Sequence, residues 1–226
     1  MSGERWNGEL YIGFAFALFR GQAGYNALHH HYAAQCAYAE DGQIEIERAD
    51  GTVARTQWAH IPSEEVHRLR VSNTFVRLLY YEPAMACGKT VDAMVQALAA
   101  PNWRTLDWSA HFGLPDTIDT RVRQALDFLD DDMNQSLSAA ALARVVGLSR
   151  NRFMALFTAE IGVPVRRYIL WRRLKLAATA LASGDNLTTA AHAAGFADSA
   201  HFARTMRSMF GVTATDSLRR LDIKLL

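Results

Sequence analysis

The chain has 226 residues, half of them hydrophobic and 21% charged, with a formal net charge of +1. That composition excludes a disordered chain, and no run approaches the roughly 20 apolar residues of a transmembrane helix. Two cysteines, Cys36 and Cys87, are too few for a disulfide framework and lack metal-ligand spacing, so both are expected as free thiols.

The opening residues, Met-Ser-Gly-Glu-Arg-Trp, lack the basic flank and apolar run of a secretory signal, so a cytoplasmic protein with no membrane partner is expected. Through the first 82 residues the pattern has period two. Gln43–Arg48 alternates, with Ile44 and Ile46 on one face and Glu45 and Glu47 on the other, before an Asp50-Gly51 turn. Thr74–Tyr81, rich in Phe, Val, Leu and Tyr, is a second strand, ended by Glu82-Pro83. Short strands between such turns predict an antiparallel sandwich or barrel. Lys89–Ala99 then places Val91, Met94, Val95 and Leu98 at helical spacing. Two roles fit this helix: packing beneath the sheets, or pairing with its twin in a dimer. Pro101 ends it, and residues 101–116 are expected as a linker.

From Thr117 onward the period is 3.6, with Val122, Ala125, Leu126 and Leu129 on one face. Ser138 and Ser149 are expected N-caps of helices 139–146 and 150–161, with Gly147 and Gly162 closing them. A long helix over 165–182 and two more, 188–194 and 198–210, complete this half. The charge is uneven. Residues 1–114 sum to −3 and residues 115–226 to +4, while over 133–226 there are 13 Lys/Arg against 5 Asp/Glu. Such asymmetry points to a module facing a polyanion.

The helical half repeats itself. Leu142, Ala143, Val146, Gly147 and Leu148 match Ala190, Ala191, Ala194, Gly195 and Phe196, and past the turn Phe153, Phe157 and Gly162 match Phe202, Met206 and Gly211. Each copy is a short helix with small central residues, a Gly-hydrophobic turn, and a second helix with apolar residues four apart. That is the sequence shape of a helix-turn-helix. Two copies in a basic block, joined by a helix carrying Arg166, Arg167, Arg172, Arg173 and Lys175, point to DNA rather than to a plain α-hairpin repeat.

The run Ala141-Leu-Ala-Arg-Val-Val-Gly-Leu-Ser149, with Phe153, Phe157, Gly162, Tyr168, Arg173-Leu174 and Ala177, resembles the DNA-binding domain of the AraC/XylS family of bacterial transcription regulators. So does Ala190-Ala-His-Ala-Ala-Gly-Phe-Ala-Asp198, with Phe202, Arg204, Phe210 and Gly211. The resemblance covers about residues 118–220. It departs from the family pattern at Met206, at Thr213-Ala214, and at Ala190 and Ala194, which implies looser packing of the second unit; Ala155 stands where many members carry Arg. The resemblance implies a double-stranded DNA operator contacted by Ser149, Arg150, Asn151, Arg152, Met154 and Ala155 on the first recognition helix. On the second it implies Ser199, Ala200, His201 and Arg204, the last as a base-reading residue. Arg172, Arg173 and Arg207 are expected to clamp phosphates, which sets register without reading sequence. RNA polymerase is a further partner if the protein activates.

In the first half, His29-His30-His31 opens an expected strand in which positions 29, 31, 33, 35 and 37 share one face; His30 is expected to turn away. Ile61-Pro62 leads to His67. This part resembles the cupin-type effector domain of many such regulators, over about residues 8–82. The resemblance implies a small-molecule or metal effector, with His29, His31, Gln35, Tyr38, Trp58 and His67 lining its site. In metal-binding cupins two early His and a late His ligate the metal with a carboxylate; here His29, His31 and His67 correspond, and Gln35 stands where the spacing offers a fourth ligand. Three imidazoles suit a divalent transition metal; an organic-ligand pocket, or plain packing, is the alternative. The fold class implied is α+β in two domains: a cupin-like antiparallel β-barrel or sandwich over 1–84, a linker helix and connection over 85–117, and an all-α double helix-turn-helix domain over 118–226. The function implied is a regulator and no enzyme. A metal-dependent cupin enzyme with a regulatory helical appendage is the rival reading.

Overall fold

A computed structural model describes residues 6–23, 27–71, 74–131, 138–211 and 221–224; Thr213-Ala214 lies outside them. Two sheets form the N-terminal half. The larger runs in the order β6 (Trp58–Ile61), β3 (Ala34–Ala39), β8 (Val76–Tyr81), β2 (Phe16–Gln22), β1 (Asn7–Ile12) and β9 (Leu221–Lys224). The smaller is β5 (Val53–Thr56), β4 (Ile44–Arg48) and β7 (His67–Val71). Strand β4 shows why alternation forms a half-buried strand. Ile44 and Ile46 are buried, while Glu45 and Glu47 face outward and pair across the ladder with Arg55, Arg68 and Arg70. Every pairing is antiparallel except β1 with β9, which is parallel. Strand β9 therefore belongs to the N-terminal sheet, although in sequence it falls in the segment expected to be all helix.

Two further expectations need correcting. The strand after the His run begins at Ala34, not at His29; His29 makes an isolated bridge to His67 instead. Residues 101–116 are no loose linker, because Trp103, Trp108 and Phe112 are buried and the Trp108 indole donates to the Trp103 carbonyl at 2.7 Å. Ahead of them, α1 (Val91–Ala99) is capped by Thr90 and buries Met94, Val95 and Leu98. It packs against β3 and β8, and the Arg77 guanidinium donates to the carbonyls of Leu98, Ala99 and Ala100 at its C-terminal end. Its apolar stripe is thus spent beneath its own sheet.

The helices α2 (Thr120–Asp131), α3 (Ala139–Val145), α4 (Arg150–Ile161), α5 (Val165–Ala182), α6 (Leu187–Ala193) and α7 (Ser199–Phe210) follow the expected order. The two helix-turn-helix units, α3–α4 and α6–α7, join different faces of the larger sheet. Leu142, Phe153 and Phe157 share a core with Leu18 and Leu79. Phe196, Phe202 and Met206 share one with Phe19 and Leu78, whose side chains alternate to the other face. Ala190, Ala194 and Met206, the positions that implied looser packing of the second unit, are all buried, and Ala194 and Met206 lie in the core shared with Phe19 and Leu78.

Candidate nucleic-acid interface and histidine cluster

Each recognition helix is anchored by the same local chemistry. The Ser149 side chain accepts from the Arg152 amide at the start of α4, and the Asp198 carboxylate from the His201 amide at the start of α7. Gly162 and Gly211 close them in the left-handed conformation, at φ of +82° and +72°. Phe153 and Phe157 turn inward from α4, as Phe202 and Met206 do from α7. The opposite faces are left outside. On α4, Arg150, Asn151, Arg152 and Ala155 are exposed and Met154 is half-buried. On α7, Ala200, Arg204 and Arg207 are exposed, with Ser199 and His201 partly so.

The arginines divide sharply between the halves. Arg20, Arg48, Arg55, Arg68, Arg70, Arg77 and Arg104 in the N-terminal half are each paired with a glutamate. Among the described residues, Arg150, Arg152, Arg166, Arg204 and Arg207 have no carboxylate partner within 4 Å. Those charges are available to an external anion. Two of the expected phosphate clamps are differently placed. Arg172 is largely buried and pairs with Asp130 at 2.6 Å. Arg173 is partly buried with its guanidinium against Gly195, in the turn between α6 and α7, and this burial lowers its pKa. Both brace the helices rather than reach outward.

A second constellation lies under the C-terminal end of α7. His29, His31 and His67 converge so that one ring nitrogen from each lies within 4.8 Å of the others. Three carbonyls hold the rings. Ala27 accepts from His29 Nδ1 at 2.9 Å, Ala33 from His31 Nδ1 at 2.7 Å and Glu65 from His67 Nδ1 at 2.8 Å. The Nε2 atoms are thereby left with their lone pairs. That of His67 is buried and has no hydrogen-bond partner among the described residues. Burial disfavours the charged form of all three rings, lowering the pKa of His29 and His31 and bringing that of His67 down to about 4. Gln35 places its amide 3.2 Å from His31 Nε2 and 3.4 Å from the Tyr80 hydroxyl. With the His31 proton on Nδ1, the satisfied arrangement turns the NH2 to His31 and the oxygen to Tyr80. His30 does turn away, to pair with Glu64 at 2.8 Å.

The expected effector set therefore splits. His29, His31, Gln35 and His67 come together. Tyr38 and Trp58, opposed in the β3–β6 ladder, lie on the other face of β3, where Tyr38 meets Arg77 and Trp58 is exposed. Alternation decides this: Gln35 and Tyr38 differ by an odd number of residues. Ala33 and Ala37, expected on one face with His29, His31 and Gln35, are closed into the apolar core. Two participants escaped the sequence reading. Tyr80 stacks edge-on to His31 with ring centroids 5.4 Å apart, and Gly211 packs on the ring edges of His29 and His31.

The family described as "Helix-turn-helix domain" matches residues 142–220. Probable transcriptional regulator LumQ of Photobacterium leiognathi is 28% identical over 90 residues, spanning 39% of this chain and 36% of that protein. XylDLEGF operon transcriptional activator 3 of Pseudomonas putida is 30% identical over 105 residues, 45% of this chain and 32% of that protein. The chain thus spans about a third of the length of these curated relatives. A crystal structure of apo ToxT from Vibrio cholerae superposes with a TM-score of 0.50 at 12% identity, covering 93% of this chain and 99% of that one. The likeness shows a shared two-part fold, β-sheets followed by helices.

Proposed function

We propose, from the premise that the chain carries an AraC-type helix-turn-helix domain over residues 142–220, that it is a one-component transcription regulator reading duplex DNA through α4 and α7. The observation that carries this is the pair of capped, outward-facing helices whose arginines have no carboxylate partner among the described residues, beside an N-terminal half whose described arginines are each paired with a glutamate. Unpaired guanidiniums displace counterions from a phosphate backbone and bond guanine edges, whereas paired ones do neither at comparable gain. Two such helices enter successive major-groove segments about 34 Å apart. The N-terminal half is the sensing part. Against the cupin-enzyme reading, no carboxylate joins the three histidines among the described residues.

The test is selection of binding sites from random duplexes, followed by titration at several salt concentrations. Arg204→Ala is expected to relax preference at one position, costing about 1–3 kcal/mol against the best site. Arg207→Ala is expected to weaken all sequences alike and to lower the salt slope by about one. Absence of salt-dependent duplex binding, or an unchanged preference in Arg204→Ala, overturns the reading.

A further inference from the structure

The second recognition helix does not stand clear of the N-terminal half. The last carbonyls of a helix have no partner within it. In α7, those of Ser208 and Met209 accept from the amides of Tyr32 and Ala33, at 2.9 and 3.2 Å. The Arg167 guanidinium of α5 covers the Tyr32 ring, 5.0 Å from its centroid. The loop ahead of β7 is bound to the same segment. Ser63 Oγ donates to the Tyr32 carbonyl at 2.6 Å, and the Glu64 amide to the His31 carbonyl at 2.9 Å. Glu64 itself sits at φ +65°, in the left-handed region that residues other than glycine seldom adopt. Such a conformation persists only where its surroundings over-determine it. The result is a fixed juxtaposition: His30, Tyr32 and Glu64 line one cleft of about 250 Å³ together with Arg204, Arg207 and Ser208 of α7.

We infer that Glu64 is an affinity-setting residue of the DNA site, contributed by the N-terminal half, whose carboxylate opposes the phosphate strand that Arg204 and Arg207 take up. The inference rests on the reading of α7 as a DNA-reading helix. Arg204 and Arg207 are three residues apart and share one face of that helix. Neither has a carboxylate within 4 Å among the described residues, and Glu64 accepts instead from His30 Nδ1 at 2.8 Å. The carboxylate thus lowers the positive potential of the cleft while it is held off from neutralising either cation. A phosphate entering there meets two guanidiniums and one like charge, a repulsion that water weakens and salt screens. The N-terminal half thereby sets the affinity of the second unit without touching a base. His30 is the positioning residue. With its ring removed, the Glu64 side chain is free to turn to the arginines and compete with phosphate directly.

The experiment titrates the full chain with a duplex selected from random sequences, at low and high salt, and measures retention on heparin in parallel. Glu64→Gln keeps the side-chain size and removes the charge. It is expected to tighten duplex binding by about threefold or more at low salt, the gap closing as salt rises. In an Arg207→Ala background the same substitution is expected to gain less. His30→Ala is expected to weaken binding by about twofold or more, and to have no effect once Glu64 is replaced by Gln. Asp41→Asn makes the same charge change at an exposed position beyond the opposite end of β3, and is expected to bind as wild type. Heparin, a sulfated polyanion that needs no operator, reads the same cations, and Glu64→Gln is expected to elute from it at higher salt than Asp41→Asn. Duplex affinity of Glu64→Gln equal to that of Asp41→Asn, or a His30→Ala loss that persists beside Glu64→Gln, overturns the inference. If wild type shows no salt-dependent duplex binding, the regulator reading fails by itself. Glu64 is then judged on heparin, where equal elution of Glu64→Gln and Asp41→Asn overturns its role.

Discussion

At Glu82, where β8 ends, a buried carboxylate meets α5: Glu82 accepts from the Trp171 indole at 3.4 Å and lies 3.6 Å from the Arg167 guanidinium. Burial raises its pKa above the ordinary 4.5, with Arg167, Trp171 and the Ala84 amide opposing. The sign follows. A carboxyl whose pKa is raised on folding favours the folded state below its unfolded value, and that favour is lost as pH rises through the folded value. Glu82→Gln should therefore remove a pH-dependent component. The stability difference between wild type and variant, from urea midpoints, is expected to favour wild type most at the acid end and to shrink as pH rises above 4.5. A difference constant with pH would show that Glu82 titrates as it does in the unfolded chain. Nothing in the local sequence around Glu82 forecasts this, because its partners are 85 and 89 residues away.

The helices carry their own start and stop signals, which is why they were legible. Ser138, Ser149, Gly147 and Gly162 stand where the sequence puts them, and helix 165–182 has the bounds its period predicts. Asp198→Ala should cost about 1 kcal/mol of stability by removing the cap of α7, with a matching loss of duplex affinity where binding needs that turn ordered. Thermal unfolding and a duplex titration of the same variant check both parts. Strands were legible only in part. Period two states which residues share a face, so Ile44 and Ile46 were correctly assigned to the inside. It does not state where a strand begins or which chain segment lies opposite. Hence the first turn after His29, the placement of Tyr38 and Trp58, and the origin of β9 could not be read. For the histidines the sequence supplied the residue types and not the enclosing element, because α7 begins at Ser199, well over a hundred residues beyond His67.

Across the molecule, the two halves do not have separate cores. Side chains from α2, α3 and α4 pack with β2 and β8 from one face, and those from α6 and α7 with β2, β4 and β8 from the other. Cooperative unfolding follows when apolar contacts cross between segments in this way. Near-ultraviolet and far-ultraviolet circular dichroism should trace one coincident transition. Phe202→Ala, wholly buried in this shared core, should lower the midpoint by an amount corresponding to about 3–5 kcal/mol, seen equally by both probes. Two resolved transitions would mean that the halves fold independently. Strand β9 is the covalent far end of this arrangement: it seals β1, with Lys224 reaching Glu9 at 2.9 Å. Were that short segment clipped away, β1 would present bare amides and carbonyls to its surroundings. The molecule would then gain a sticky rim inviting a neighbour's strand, and concentration-dependent clumping would follow before any loss of internal order.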